Sequence, residues 1–299
     1  MSTTTDPSPT NPFAQEERAE PRDEHLVAEA LAGKRASLER LVSRHQRWIY
    51  NIAFRMVMTP QDAEDVTQEV LIKILTKLSS YDAHKATFRT WLYRIVANHV
   101  INMKSRGYEA AMTTLESYYE GILKVSDQTS ESSPEMDALA EDLKVGCIMG
   151  TLLCLERTQR IAFILAIGFD VTDTMGAEIL EMSPDAFRKT LSRARARLHQ
   201  YMSGNCGVFN PSAPCRCRKK VPGFLEMGAI SKGQLNFIQP SSPSVRKTVG
   251  DTISRFEKEI YTDFVRLHRE QPLYAVPDAT AWLRDLVQRR EFKEIFNLH

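Results

Sequence analysis

From His25 to Arg106 the chain carries only Gly33 and Pro60 as helix-breaking residues, and its apolar positions recur at spacings of three and four. That period matches the turn of an α-helix and cannot line one face of a strand, whose side chains alternate. Ile49, Ile52, Ala53 and Met56 fall on one stripe, and Val66, Val70, Leu71, Ile74 and Leu78 on the next. Each stripe must be buried against another helix, so the segment is expected to form a small bundle. Pro60 divides it, because a proline in the first turn gives up an amide that has no partner there. Thr59 stands at the capping position, and Asp62 and Glu64 suit the positive end of the helix dipole.

Periodicity is lost from Tyr108 to Pro134, where the run DQTSESSPEMD has the composition of a flexible linker. It returns from about Glu135 to Met202. Within that block VTDTMGAEILEMSPDAFRKTLSRARARL has the form of a helix-turn-helix. A short helix would turn Ala177, Ile179 and Leu180 inward, Met182-Ser183-Pro184 would break the chain, and a longer basic helix would follow. Ser183 is placed to cap that helix and Pro184 to open it. The expected fold class is all-α. A leader at 1–23 reads as disordered. A first helical domain covers 24–106, a flexible linker 107–134, a second domain with the helix-turn-helix 135–203, and a C-terminal extension 204–299. In the extension, Ser254 to His268 (Phe256, Ile260, Phe264, Leu267) and Ala279 to Phe296 (Trp282, Leu283, Leu286, Phe292, Phe296) are expected to be amphipathic helices.

The 299 residues are 42% hydrophobic, enough for two or three small domains. No window approaches the roughly 18 uninterrupted apolar residues of a membrane span, and the N-terminus lacks a basic region followed by an apolar core. A cytoplasmic protein without a membrane partner is expected. The formal net charge of +1 hides a strong asymmetry. From Ala186 to Leu225 there are nine Lys or Arg residues and no Asp or Glu, whereas Asp62 to Glu69 is acidic. A basic strip attracts phosphates through counterion release, and an acidic helix face attracts a basic protein partner.

The stretch TFRTWLYRIVANHVINMKSR, Thr87 to Arg106, joins these themes by placing aromatic, amide and basic side chains on one helix. Unpaired bases are held by stacking and by hydrogen bonds to their edges, and Lys and Arg follow the phosphates. Trp91 is a tempting stacking partner. Phe88, Leu92, Ile95 and Val96 at helical spacing around it make a core tryptophan the expectation. A phosphate-cradling Gly loop, a nucleophile elbow and a zinc-protease motif are all absent, so no enzyme is expected.

DAEDVTQEVLIKI, TFRTWLYRIVANHVINMKSR and the helix-turn-helix, in this order, resemble regions 2 and 4 of bacterial RNA polymerase sigma factors of the extracytoplasmic-function group. The resemblance covers about Glu24 to Arg106 and Glu135 to Met202. It implies a dissociable initiation subunit that brings core polymerase to promoters and helps to hold the melted strand. It further implies that Asp62, Asp65, Gln68 and Glu69 dock on the clamp of the large β′ subunit, and that region 4 meets the flap of β. The loop SSYDAHKAT, Ser79 to Thr87, matches the segment that captures an extruded base of the minus-ten element. Arg89, Asn98, Asn102, Lys104 and Arg106 are the implied polar contacts to that element. On the basic helix, Asp185, Ala186, Arg188 and Lys189 match minus-35 positions that read bases, and Arg193, Arg195 and Arg197 suit phosphates. Phe187, Leu191 and Ala194 are expected to face inward. The alternative is a metal- or redox-responsive helix-turn-helix regulator that binds duplex DNA without joining polymerase.

Cys147 and Cys154, in the apolar run GCIMGTLLC, read as buried inert thiols. Cys206, Cys215 and Cys217 lie in a Gly- and Pro-rich loop beside basic residues that would lower thiol pKa values. Three readings stay open: a zinc or other thiophilic metal site with His199 as fourth ligand, reduced reactive thiols, or a plain basic loop. No cofactor is required by any of them. The apolar faces of the extension must be covered by the chain's own domains or by a partner, and self-inhibition in place of a separate anti-sigma protein is one use for them.

Overall fold

The computed structural model describes residues 11–13, 21–105, 107–111, 114–129, 133–238, 267–269, 271, 273–276 and 279–288. Among these residues the chain is helical, and its only ladder pairings are isolated bridges between Cys206 and Cys215 and between Ser231 and Gln234. Two compact units form, and neither is a single stretch of chain. The first comprises 1–104, 164–189 and 273–299, the second 105–163 and 190–272.

In the first unit α1 (Asp23–Leu31), α2 (Arg35–Val57), α3 (Pro60–Lys77) and α4 (Phe88–Asn102) form the bundle. Every residue of the two predicted stripes is at most 5% exposed. Pro60 opens α3 as expected, but Thr59 does not cap it: its hydroxyl donates to the Asp62 carboxylate instead. Thr87 is the working cap of α4, accepting the Thr90 amide at 3.3 Å.

A buried ionic cluster ties the bundle together. Asp23 is 3% exposed and accepts from Arg44, from Arg89 Nε at 2.9 Å and from His45 Nε2 at 3.2 Å. Burial alone would raise its pKa, but the hydrogen bonds and charges of His45 and Arg89 hold it well below the usual carboxylate range. Burial lowers the pKa of His45 despite Asp23. Arg55 is buried with its guanidinium 5.0 Å above the Phe169 ring, and burial lowers its pKa to about 10.

The same unit contains α9 (Asp173–Ile179), the start of α10 (Pro184–Asn205) and α12 (Ala279–Gln288). Gly176 on α9 lets the Phe187 ring of α10 approach the helix backbone, and a methyl group there would overlap that ring. Asn51, with no exposure, holds the segment before α12. Its Oδ1 accepts the Tyr274 amide at 2.7 Å, and its Nδ2 donates to the Tyr274 carbonyl at 3.1 Å. Tyr274 lies 4.3 Å from the Phe54 ring, and Arg47 donates to the Leu273 carbonyl at 3.1 Å.

In the second unit, helices form where periodicity was expected to fade: α5 (Gly107–Ala111) and α6 (Leu115–Lys124) fall inside 107–134. Their causes are local and tertiary. Thr114 and Ser117 make a reciprocal cap at the start of α6. Glu109 on α5 is 7% exposed and accepts from both Arg157 and Arg160, each at 2.8 Å. Arg160 also donates to the carbonyls of Leu152, Leu153 and Leu155 at 2.7–3.1 Å, satisfying the end of the 3-10 turn Thr151–Cys154 that follows α7 (Pro134–Gly150). Arg160 belongs to α8 (Arg157–Phe163), and α11 (Cys217–Glu226) packs Val221 against Leu139 and Ala140 of α7. Asp142, also on α7, accepts the amides of Asn236, Phe237 and Ile238 at 2.7–3.1 Å, so the chain after α11 is pinned by backbone bonds.

Candidate nucleic-acid interface

The sequence-predicted contacts on α4 do not share one environment. Asn98, Asn102 and Lys104 are exposed, and Asn102 Nδ2 donates to the Asn98 carbonyl at 2.8 Å. Arg89, expected at the nucleic acid, is 3% exposed and committed to Asp23; the structure makes it a core residue. Arg106 lies outside the described residues. Trp91 is half-buried against Tyr81 and Phe88, at ring distances of 5.7 and 5.6 Å. The preceding loop is shaped locally, with Asp82 accepting the His84 amide at 3.0 Å.

One residue on this face was missing from the sequence reading. Arg94 donates from Nε and Nη2 to the Glu178 carbonyl at 3.3 and 3.1 Å, and lies 3.6 Å from the Glu181 carboxylate. Asn98 donates to that same carboxylate at 3.2 Å. The end of α9 thus sits on the outward face of α4. No spacing pattern could have revealed this, because the partners are more than 80 positions apart.

On α3 the residues Asp62, Asp65, Gln68 and Glu69 recur at three and four and share one face, opposite Val66 and Val70. Asp65 and Gln68 are exposed. The Glu69 carboxylate lies 3.2 Å from His99 Nε2, while Lys73 donates to His99 Nδ1 at 2.7 Å. An ammonium can only donate, so Nδ1 of His99 is the acceptor.

The basic helix α10 has its expected inner face. Phe187, Leu191, Ala194 and Leu198 are at most 4% exposed, and Ser183 caps the helix by accepting the Ala186 amide at 3.2 Å. Asp185, Arg188, Lys189 and Arg193 are exposed, while Ala186, Arg195 and Arg197 are half-buried. Arg188 pairs with Asp185 and lies 3.9 Å from Asp173. Exposed guanidinium and ammonium groups on the first turns of such a helix can reach base edges and phosphates.

The Sigma-70 region 2 family profile matches residues 41–108. RNA polymerase sigma factor YlaC of Bacillus subtilis is 31% identical over 169 residues, which span 56% of this chain and 94% of that protein. This protein is an RNA polymerase sigma factor. The ECF RNA polymerase sigma factor SigE of Mycolicibacterium smegmatis is 27% identical over 210 residues, 67% of this chain and 77% of that protein, in keeping with the extracytoplasmic-function group. In the structure of CnrH in complex with the cytosolic domain of CnrY, 97% of that chain overlaps 60% of this one at 21% identity, with a TM-score of 0.43. Sigma factors are initiation factors without catalysis of their own, and core RNA polymerase and promoter DNA are their partners. Among the described residues of this sigma factor no helix is long and apolar enough to cross a membrane.

The sigma factor's cysteines lie in its second unit. Cys154 is 2% exposed and burial raises its pKa to about 11; burial likewise pushes Cys147 up to about 12. The three loop cysteines were expected to share a depressed pKa, and only one has it. A hydrogen bond from Cys217, aided by Lys220 and Arg216, lowers the pKa of Cys215 to about 7 against the effect of burial. Donating that bond, and being buried, raises Cys217, and burial pushes Cys206 up to about 11. His199 stands 3.5 Å from the Ser203 hydroxyl. Among the described residues no three His, Cys, Asp or Glu side chains are gathered as a metal ion needs them, so His199, Cys206, Cys215 and Cys217 as arranged do not fit the expected zinc site. Of the extension's two expected amphipathic helices, Leu283 and Leu286 of α12 are buried as an apolar face should be, at 0% and 7% exposure. Phe256, Ile260, Phe264, Phe292 and Phe296 lie outside the described residues.

Proposed function

We propose that α3 docks this sigma factor on core polymerase through Asp65 and Gln68, flanked by Asp62 and Glu69, against a basic coiled coil of the β′ clamp. In this reading α4 holds the melted minus-ten strand with Asn98, Asn102 and Lys104. The outer face of α10 reads the minus-35 element with Asp185, Ala186, Arg188 and Lys189. Arg193, Arg195 and Arg197 grip phosphates, and region 4 leans on the β flap. The work is done in the cytoplasm, where polymerase and chromosome are. The duplex-binding regulator that never joins polymerase is not favoured, since nothing in such a protein calls for the acidic face of α3.

We further propose that the arrangement described here is a closed form, in which the factor restrains itself. The observation that carries this reading is the seat of Glu181 and the Glu178 carbonyl on Asn98 and Arg94, where the minus-ten strand would lie. The C-terminal segment supports it. Asn51 grips Tyr274 by both backbone groups and Glu39 pairs with Arg284 at 3.1 Å, so the tail is held on α2 as a separate inhibitory protein would be. The test is co-purification with core enzyme. Full-length protein is expected to bind more core once Asn51→Ala frees the tail, and an Asp65→Lys, Glu69→Lys variant to bind little. Equal recovery of core by all three proteins would overturn the reading.

A further inference from the structure

The Cys206 and Cys215 backbones pair as an isolated parallel bridge, and Gly207 donates its amide to the Cys215 carbonyl at 3.2 Å. Strands paired in this way run about 4.7–4.9 Å apart. A disulfide accepts Cα separations of about 4.4–6.8 Å. The two α-carbons therefore stand at a separation that a disulfide can span. Their surroundings differ in a useful way. Cys206 is 9% exposed, whereas Cys215 is half-buried, accepts the hydrogen bond of Cys217 and lies among the cations Arg216 and Lys220. Arg216 also braces the loop between them, donating to the Pro211, Ala213 and Cys215 carbonyls. The bridge joins two helix ends, because Asn205 closes α10 and Cys217 opens α11.

We infer that Cys206 and Cys215 form a thiol-oxidation site for small hydroperoxides, with Cys215 as the attacking sulfur and Cys206 as the thiol that resolves it. The Cys215 thiolate attacks the outer peroxide oxygen, the O–O bond breaks, and the alkoxide or hydroxide leaves and takes up a proton. Cys215 is thereby oxidised to a sulfenic acid and the peroxide is reduced. Cys206 sulfur then attacks the sulfenic sulfur; the S–S bond forms, the S–O bond breaks, and the hydroxyl departs as water with the Cys206 proton. Two thiols and one hydroperoxide give one disulfide, one alcohol or water, and one further water. Cys217 stays a thiol and serves Cys215 as hydrogen-bond donor. The product staples the C-terminal end of α10 to the start of α11. Its effect on promoter binding rests on the reading of α10 given above, but the chemistry does not.

The test is made on the reduced, full-length protein in chelator-treated buffer with hydrogen peroxide. One equivalent should remove two thiols per chain, and peptide mapping without reductant should find a Cys206 to Cys215 crosslink. In Cys206→Ser the reaction should stop at a sulfenic acid on Cys215 that a cyclic 1,3-dione traps. In Cys217→Ala the same crosslink should form about tenfold more slowly, through loss of the donor. Cys154→Ser should react as wild type, which guards against a general effect of losing a thiol, and circular dichroism of each variant checks the fold. A dominant Cys215 to Cys217 or Cys147 crosslink would overturn the assignment. So would equal oxidation rates at all five cysteines, or a tightly bound metal ion in the purified protein that shields the loop from peroxide.

Discussion

Glu181 has a left-handed backbone, with φ 53°, and its carboxylate accepts a hydrogen bond from Asn98 of α4 at 3.2 Å. A left-handed residue with a Cβ costs about 1 kcal/mol, and glycine is the usual choice at such a helix end. The contacts of the Glu181 side chain with Asn98 and Arg94 offset that cost and explain why a glutamate can sit there. Glu181→Lys keeps the same backbone requirement, because both side chains are unbranched at Cβ, but turns the attraction to Arg94 into repulsion. The variant is expected to raise hydrogen exchange at the amides of α9 by several-fold while its melting temperature changes little. Unchanged protection of α9 would mean that the carboxylate does not hold it on α4.

Asn51 meets both backbone groups of Tyr274, so Asn51→Ala leaves a buried amide and a buried carbonyl without partners. Each costs about 1–3 kcal/mol when it cannot find water. The segment should therefore leave α2 rather than stay desolvated. Limited proteolysis is expected to cut near Tyr274 in the variant at a concentration of protease that spares wild type. Equal resistance would show that the Tyr274 ring and Arg284 suffice to hold the tail.

Acid should unfold the first unit in a defined direction. The folded pKa of Asp23 lies below its unfolded value of about 4, so its contribution is complete above that value and is lost as pH falls through the folded one. The folded pKa of His45 is also lowered, so proton uptake by the unfolded chain begins to cost stability as pH falls below about 6.5. Thermal melts should be flat from about pH 8 to 7, decline gently towards pH 5, and fall steeply below pH 4. Asp23→Asn should melt lower at neutral pH, by about 3–5 kcal/mol for a broken buried pair, with a shallower acid limb. An acid limb as steep as wild type would remove Asp23 from the account.

The stripes of α2, α3 and α10 were legible because each needs only its own period: Val66 and Phe187 announce their burial from their neighbours in sequence. The helix-turn-helix break at Ser183 and Pro184 was legible for the same local reason. Arg89 was misread because its fate is decided by Asp23, 66 positions away, and a basic residue on an aromatic helix looks the same in sequence whether it meets a phosphate or a buried carboxylate. The helices α5 and α6 escaped notice because they are short, at 5 and 10 residues. Glu109 is held there by arginines about 50 positions downstream. Cys154 is buried as its apolar neighbours suggest and Cys147 is half-buried, whereas the contrast between Cys215 and its companions depends on which thiol donates to which.

On α10 the exposed Arg188 and Lys189 precede the half-buried Arg197 by about two turns. Arg188→Ala with Lys189→Ala is expected to cost about 1–3 kcal/mol per lost base contact and to flatten preference among minus-35 sequences. Arg197→Ala should weaken holoenzyme binding to all promoters alike and reduce its salt dependence. Competition footprinting with variant minus-35 elements separates the two. Full sequence preference in the double variant would place the reading face elsewhere on the helix.

Run-off transcription with purified core polymerase tests the central claim, that this is a self-restrained sigma factor, most directly. Wild-type protein should direct a discrete transcript from a cognate promoter, and Glu181→Lys, with α9 released from Asn98 and Arg94, should give several-fold more at the same subsaturating concentration. A wild-type yield equal to or above that of Glu181→Lys would contradict the closed form, and no transcript from either protein, with promoter DNA bound by the free chain alone, would contradict the account as a whole.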